Sequence, residues 1–531
     1  MIQVPDRPPA APLSGPQRIA ANVIFSGGGR AWSAVLLFIT IPVVVHGIGT
    51  SAYGIYTIVA VVLGYVAFLD FGLTAAVVRS VSRHRVAGDT VGLESAVGTA
   101  LTLLIGLGLL GGVAIALLSP VIISSILHVP PDLREDATFA LRVAGLGFGC
   151  NMVLVVFAGV VQGLQRLDIF ASRSVIISTL TSMVQIGAVS LGGGLRWLVI
   201  STIVVSIFGF GIFLGAARRL LPGTSLRPRL DRTAVRELWG FGLFRFVNQL
   251  SGQVTTQFDP IVIGIFQPIA AVGMYSVPLA VTQKFHLAED SVASAYFPAA
   301  VELHAHHDTE RLHRLYVATF KLVLVGMAFL IVVSAGYSTE ILTAWVGQSI
   351  AQQASLIFAV LACGYGLSAV IGIPAQTADA TGNQRWTAAF AVASAVIQLT
   401  LALILVPRFG AIGAAEALLI NTVTQGAVFV WLVQRRFLHI SALIVIREAV
   451  LRPMGAAIGL AIFVLVTRPY LHSIWTLLAA LVGAGFLYLG LTAALRVWNH
   501  AELTLAGQMV RQVWAVRSSL PGRRRGGDQI S

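Results

Sequence analysis

The chain has 531 residues, of which 56% are hydrophobic and 11% charged, with a formal net charge of +13. So little charge excludes a water-soluble domain of this length, and the composition is that of a polytopic membrane protein. Two cysteines, Cys150 and Cys363, both in apolar runs, exclude a disulfide framework or a cysteine-based metal site.

The N-terminal "MIQVPDRPPAAPLSGP" is Pro-rich and has no basic start leading directly into an apolar core, so residues 1–16 read as a disordered cytosolic tail, not a cleaved signal. From residue 19 to residue 497 the chain is a succession of apolar runs of about 20 residues, the length that crosses a bilayer as a helix. Fourteen such runs are expected, centred near Ser33, Val62, Ile105, Met152, Leu180, Val205, Gln253, Pro278, Val325, Leu361, Val396, Leu419, Leu460 and Ala484. The fold class that follows is all-α, with two six-helix lobes at 17–220 and 236–438. A cytosolic linker at 221–235 joins them, two additional transmembrane helices occupy 439–498, and a basic cytosolic tail fills 499–531.

The first run carries Asn22, Ser26, Arg30 and Ser33, spaced at four, four and three and hence on one helical face. Its "FSGGGR" lacks the strand-to-helix context of a phosphate loop, so its glycines read as a bend or thinning of the helix. The second run, "YGIYTIVAVVLGYVAFLDFGLTAAVVRSVSR", contains one carboxylate, Asp70. "GLGLLGG" at Gly106 to Gly112 reads as a helix-packing surface. The seventh run repeats the stripe of the first with Arg245, Gln249, Gln253 and Thr256, and Asp259 follows. Lys284, Glu289 and Asp290 lie in the eighth. "HAHHD" at His304 to Asp308 matches no metal-site spacing and reads as a solvated connection. Glu416, Asn421 and Gln425 of the twelfth run and Gln398 of the eleventh read as interhelical hydrogen-bonding groups.

Basic residues are retained on the cytoplasmic side of a membrane. With both termini cytoplasmic, 27 of the 35 Lys and Arg fall in inside segments, 5 outside and 3, Arg30, Arg245 and Lys284, within spans. The net positive charge, including "GRRRGG" near the end, is therefore a consequence of topology and contact with anionic lipid, and nucleic-acid binding is not implied.

One offset recurs along the chain. "YGIY" and "VGMY" set Gly54 against Gly273 and Tyr56 against Tyr275, while "GLQRLD" and "GNQRWT" set Gly163, Gln165 and Arg166 against Gly382, Gln384 and Arg385, always 219 residues apart. The matches fall at corresponding ends of runs six apart, which is the mark of an internal duplication. Six is even, so the copies cross in the same sense as parallel repeats about an axis along the membrane normal, facing each other across a central cavity. Adding 219 to Asp70 gives Glu289, so the second and eighth runs each carry a carboxylate at the same depth.

"GTSAYGIYTIVAVVLGYVAFLDFGLTAAVVRSVSR", "QGLQRLDIF", "FDPIVIGIFQPIAAVGMYSVP" and "VPRFGAIGAAEALLINTV", in this order and spacing, resemble the bacterial polysaccharide and lipid-linked oligosaccharide flippases (Wzx-like) of the MOP superfamily, whose relatives are the lipid II flippases and MATE drug exporters. The resemblance covers roughly residues 17 to 440. It implies a V-shaped two-lobe fold in the bacterial cytoplasmic membrane that carries undecaprenyl-diphosphate-linked sugars from the inner to the outer leaflet by alternating access. It also implies partners in a polysaccharide polymerase and export machinery, and no cofactor.

Polar groups inside a span usually face protein or a water-filled cavity, so they map the route. Arg30, Arg245 and Lys284 suit a diphosphate, while Asn22, Gln249 and Gln253 suit sugar hydroxyls. The opposing reading has Arg30 and Arg245 holding the lobes together by pairing with Asp259, Asp70 or Glu289. Asp70, Asp259, Glu289 and Asp290 are the gate or ion-coupling candidates, with Asp70 read first as a structural or inner-gate ion pair with Arg79 or Arg83. A cation-coupled exporter of the MATE type is the main rival, but it calls for a carboxylate-lined cavity. An enzyme acting on the outer face calls for sizeable external loops bearing acidic or His residues, and a non-transporting scaffold explains neither the duplication nor the paired stripes.

Overall fold

The computed structural model describes residues 15–67, 70–238 and 257–498, the side chains of 15–27 and 65–67 excepted. Within them lie α1 (Gly15–Ala67), α2 (Leu73–Ala87), α3 (Thr90–Val121), α4 (Arg134–Gly163), α5 (Leu167–Ser190) and α6 (Leu195–Leu220). The second group comprises α7 (Asp259–Phe266), α8 (Ile269–Thr282), α9 (His286–Ala305), α10 (Thr309–Gly336), α11 (Ser338–Val346), α12 (Gln348–Ala380), α13 (Gln384–Phe409) and α14 (Ala411–Leu432). Two further helices, α15 (Leu451–Thr467) and α16 (Ile474–Ala494), follow.

Eleven helical segments of the described residues are long and apolar enough to cross a membrane, so the chain is a multi-pass membrane protein. The expected fourteen becomes eleven for three reasons. The first two runs merge into α1, where only Gly49 departs from helical geometry (φ 81°, ψ 163°) and turns the chain back. The seventh run, with Arg245, Gln249 and Gln253, lies outside the described residues. The eighth is broken by a 3₁₀ turn at Gln283–Phe285 between α8 and α9.

The starts of α3, α10 and α16 carry side-chain caps that satisfy orphan amides. Asp89 accepts the Gly92 amide at 2.8 Å, Asp308 accepts that of Arg311 at 3.1 Å, and Ser473 forms a capping box with Thr476. Helices then approach closely where side chains are small, as expected of membrane packing. Gly108 and Gly112 of α3 lie against Gly149 and Gly145 of α4, which confirms the packing role of the "GLGLLGG" stretch.

The two groups meet chiefly through α1, which contacts α7, α8, α9 and α11. The contact is reciprocal at one place. A Cβ on Gly54 would strike the Ile269 carbonyl oxygen, and a Cβ on Gly273 would strike that of Thr50. Both pairs of equivalent residues, 54 with 273 and 50 with 269, stand 219 apart. Around this crossing an apolar cluster closes one end of the interface, with Ile41, Val44 and Tyr53 against Val277, Leu342 and Val346. Trp345 caps it, donating its indole N–H to the Phe38 carbonyl at 2.7 Å.

At the other, arginine-rich end the groups are joined by exposed ion pairs. Arg83 meets Glu237 at 2.6 Å and Arg30 meets Asp290 at 3.1 Å. The connection that follows α6 is strapped to α3. Glu94 accepts the Ser225 amide, Gly98 O accepts the Arg229 amide, and Ser95 donates to Asp231 at 2.6 Å. Hydrogen bonds from Ser95 and Thr233 hold the Asp231 carboxyl well below the usual carboxylate range. The turns matched by the 219 offset are not identical. Their left-handed residues are Gln165 and Gly382, which are two positions out of register.

α15 and α16 dock on α10 through an apolar cluster and the Tyr488 hydroxyl, which donates to the Val325 carbonyl at 3.0 Å.

Gly54→Val and Gly273→Val are each expected to destabilise the fold by about 1–3 kcal/mol through overpacking. Gly106→Val, which meets nothing within 4 Å, should leave it nearly unchanged. Thermal unfolding of the detergent-purified variants measures the difference.

Candidate functional site

Helix α1 brings one polar face of the first group to the interface between the groups. Ser33 and Thr40 of that face line a cavity of about 720 Å³ enclosed by α1, α2, α4, α5 and α6, to which the second group adds Ala280 of α8. Polar groups recur on α5 at Ser174, Ser178, Thr181, Ser182 and Gln185, at helical spacing on one side. Asn151 and Gln162 come from α4, Thr202 and Ser206 from α6, and Tyr53 and Tyr56 from the second half of α1.

Several of these hydroxyls spend their proton on their own helix, which is how Ser and Thr are accommodated in an apolar environment. Thr40 donates to Leu36 O at 2.8 Å, Thr181 to Ile177 O at 2.8 Å, and Ser206 to Thr202 O at 2.9 Å. Their oxygen lone pairs remain available to a ligand. Gln185 donates to the Tyr56 hydroxyl at 2.9 Å. No side-chain hydrogen bond engages Asn151 or Gln162 among the described residues.

The charged candidates lie apart from this lining. Arg30 is one helical turn from Ser33 toward the arginine-rich end, and its partner is Asp290, with both side chains about half exposed (60% and 49%). Of the three carboxylates considered for it, Asp259, Asp70 and Glu289, none is its partner. An exposed pair of this kind contributes only about 0–1 kcal/mol, so it can exchange partners readily. Lys284 is half-buried in the 3₁₀ turn between α8 and α9 and is not among the residues that line the cavity. Asn22, Arg245, Gln249 and Gln253 fall outside the described side chains.

The acidic candidates separate into distinct environments. Asp70 occupies the break before α2, where it accepts the amides of Gly72 at 2.8 Å and Thr74 at 3.4 Å. It caps a helix, and it pairs with neither Arg79 nor Arg83. Glu289, its counterpart, is buried against Gly372, with His286 Nδ1 at 3.6 Å. Asp259, 1% exposed, accepts the Tyr275 hydroxyl at 2.6 Å and the Gln398 amide at 3.0 Å. Asn421 extends this network, donating to Ser394 Oγ at 2.9 Å and lying 3.5 Å from Gln398 Oε1.

Subtracting 219 from Asp259, Tyr275, Gln398 and Asn421 gives Thr40, Tyr56, Thr179 and Thr202. Three of those four line the cavity. The same four places are thus a closed acid network in the second group and largely an open hydroxyl-lined space in the first. Sequence reading found Asp259 as a charge in a span, but assigned the cavity to the paired stripes and passed over α4 to α6. The 4-3-1-3 spacing from Ser174 to Gln185 was the signal that could have located it. Lys321, counted with an inside segment, is buried within α10.

This arrangement is a two-group helical membrane fold that solved structures share. The structure superposes on the lipid II flippase MurJ in an inward closed conformation with a TM-score of 0.68 over 89% of this chain and 98% of that one, at 12% identity. An inward-facing MATE multidrug transporter of the MOP superfamily gives 0.56 over 80% and 95%, at 16% identity. Residues 48–349 match the family model described as polysaccharide biosynthesis protein, and the chain belongs to that family. It is 21% identical to a putative O-antigen transporter of Shigella flexneri over 78% of this chain and 98% of the relative. To a probable low-salt glycan biosynthesis flippase of Haloferax volcanii it is 25% identical over 73% and 77%.

Asp259→Ala leaves the Tyr275 hydroxyl and Gln398 amide without an acceptor in the core and should lower stability by about 1–3 kcal/mol, with Asp259→Asn recovering part of the loss. Arg30→Ala should change the thermal midpoint very little. Melting curves of the three variants check both statements.

Proposed function

We infer that the chain is a flippase that translocates an undecaprenyl-diphosphate-linked oligosaccharide, a polysaccharide precursor, from the cytoplasmic to the outer leaflet of a bacterial inner membrane. The observation that carries this is the adjacency of a hydroxyl- and amide-lined cavity to a cation held only by an exposed, exchangeable ion pair. Family membership and the names of the two relatives support it.

In this reading both termini are cytoplasmic, and the lobes 17–220 and 236–438 rock about the crossing at Gly54 and Gly273. The basic residues gathered at one end of the described helices fit that orientation. The diphosphate competes with Asp290 for the Arg30 guanidinium, a charge-assisted and bidentate exchange. Because Asp290 belongs to the other lobe, the exchange loosens the arginine-rich end as substrate enters. Lys284 and Arg245 supply further positive charge, while Asn22, Gln249 and Gln253 meet sugar hydroxyls. Asp259 is the foremost coupling group, since it is the most deeply buried of the four candidate carboxylates and is hydrogen-bonded to α8 and α13. Asp70 serves as a cap at the inner gate, and Glu289 packs the equivalent position. A polysaccharide polymerase and export machinery would receive the product, and no catalytic step is assigned to the chain. An exporter of cationic drugs is disfavoured because the described cavity carries no carboxylate.

Deleting the gene should cause one lipid-linked glycan intermediate to accumulate on the cytoplasmic side. Wild type restores its export, whereas Arg30→Ala, at normal membrane levels, does not. Absence of any accumulated intermediate, together with drug sensitivity that the gene relieves, would refute the reading in favour of the exporter.

A further inference from the structure

Resting on the flippase reading, we propose that the cavity of the first group is a subsite for an uncharged sugar of the lipid-linked glycan, and that it rejects sugars bearing a carboxylate. Of its 26 described lining residues, 14 carry a hydroxyl or an amide and none is charged. That composition discriminates between ligand classes. A polyhydroxylated ring both donates and accepts, and so do the amides of Asn151 and Gln162 and the hydroxyls beside them. A purely apolar ligand would leave these groups unpaired, and a cation would find no acid.

A uronic acid meets the opposite difficulty, because a carboxylate entering this lining would lose its water and gain no counter-charge. Neither Arg30 nor Lys284 is among the residues that line the cavity. Arg30 lies a turn away and would be engaged by the diphosphate. Tyr53 and Tyr56, with ring centroids 6.3 Å apart, offer apolar faces to the C–H side of a sugar ring, while the Tyr56 hydroxyl is held by Gln185. The volume, about 720 Å³, is within the range of sites that enclose small molecules and is too small for a long glycan. Selection is therefore confined to the sugar or sugars nearest the lipid.

Among the described residues, the second group fills the equivalent positions. Where the first presents Thr40 and Thr202, the second holds the Asp259 and Asn421 network. Among the described residues this subsite belongs to the first lobe, the one joined to Arg30 by a single turn of α1.

The test uses the purified full-length protein and three lipids: undecaprenyl diphosphate, the same lipid bearing one N-acetylhexosamine, and the same lipid bearing one hexuronic acid. Binding is followed by native mass spectrometry. The neutral sugar is expected to tighten binding about tenfold over the bare lipid, as one or two added hydrogen bonds would, and the uronic acid to add nothing. In Asn151→Leu and in Gln162→Leu that gain should disappear while bare-lipid binding persists. In Gln162→Lys the uronic acid lipid should gain instead.

Equal binding of the bare and neutral-sugar lipids by the wild type would overturn the subsite, as would a uronic acid gain equal to that of the neutral sugar. So would a neutral-sugar gain that survives both leucine substitutions. Failure to bind even the bare lipid diphosphate would overturn the flippase reading together with the subsite. Bare-lipid binding without a sugar gain would overturn the subsite alone.

Discussion

The close crossing of two backbone segments at Gly54 and Gly273 is the constraint on which the rest of the molecule depends. With a hydrogen in place of each side chain, the helix beginning near Thr50 and the helix beginning at Ile269 approach until each glycine faces a carbonyl of the other helix. No larger residue permits that approach. Because the contact is reciprocal between positions 219 apart, it lies where a two-fold relating the helix groups would pass. The apolar plug of Ile41, Val44, Val277 and Leu342 packs around it, and the cavity begins at this plug, where Ile41 and Val44 line it, and runs along α1 to Ser33.

The two ends of the interface are built from different physics. At the glycine crossing, contact is close-packed, apolar and continuous. At the arginine-rich end it is polar, with Arg30–Asp290 and Arg83–Glu237 both exposed and each worth little. An interface that is firm at one end and weakly latched at the other is biased toward opening at the weak end. An anionic ligand that competes for a latch arginine then has a direct effect on the balance.

Equivalent positions have been put to unlike uses. Tyr56 and Tyr275 occupy matched places, yet one borders an open cavity and the other donates to a buried carboxylate. Burying Asp259 is tolerable only because Tyr275 and Gln398 satisfy it, and Asn421 and Ser394 in turn fix Gln398. The first group needs no such network because it carries Thr40 where the second carries Asp259. Positions 219 apart thus carry different chemistry, open hydroxyls in the first group and a satisfied acid in the second.

Much of this was legible in the sequence, and for identifiable reasons. Apolar runs of membrane-spanning length dictated an all-helical multi-pass chain, because backbone groups in hydrocarbon have no other way to satisfy their hydrogen bonds. The 219 offset singled out Gly54 and Gly273 before their contact was seen, and the isolated charges marked Arg30 and Asp259. Pairing was not legible. Arg30 meets Asp290 and not the adjacent Glu289, because successive residues of a helix point about 100° apart and only the packing of α9 on α1 selects between them. Nor was it legible that Asp70 caps a helix, since that requires knowing that the second run breaks there. The cavity lay hidden because Ser, Thr and Gln on one helix have two equally sound explanations, bonding to their own backbone or facing a wet space. Sequence by itself determined the solvent of this protein, its helical class and the residues whose charge or smallness is costly to place. Which of those residues meet, and where space is left between them, was decided by tertiary packing alone, since contact and void depend on how helices far apart in the chain are brought side by side.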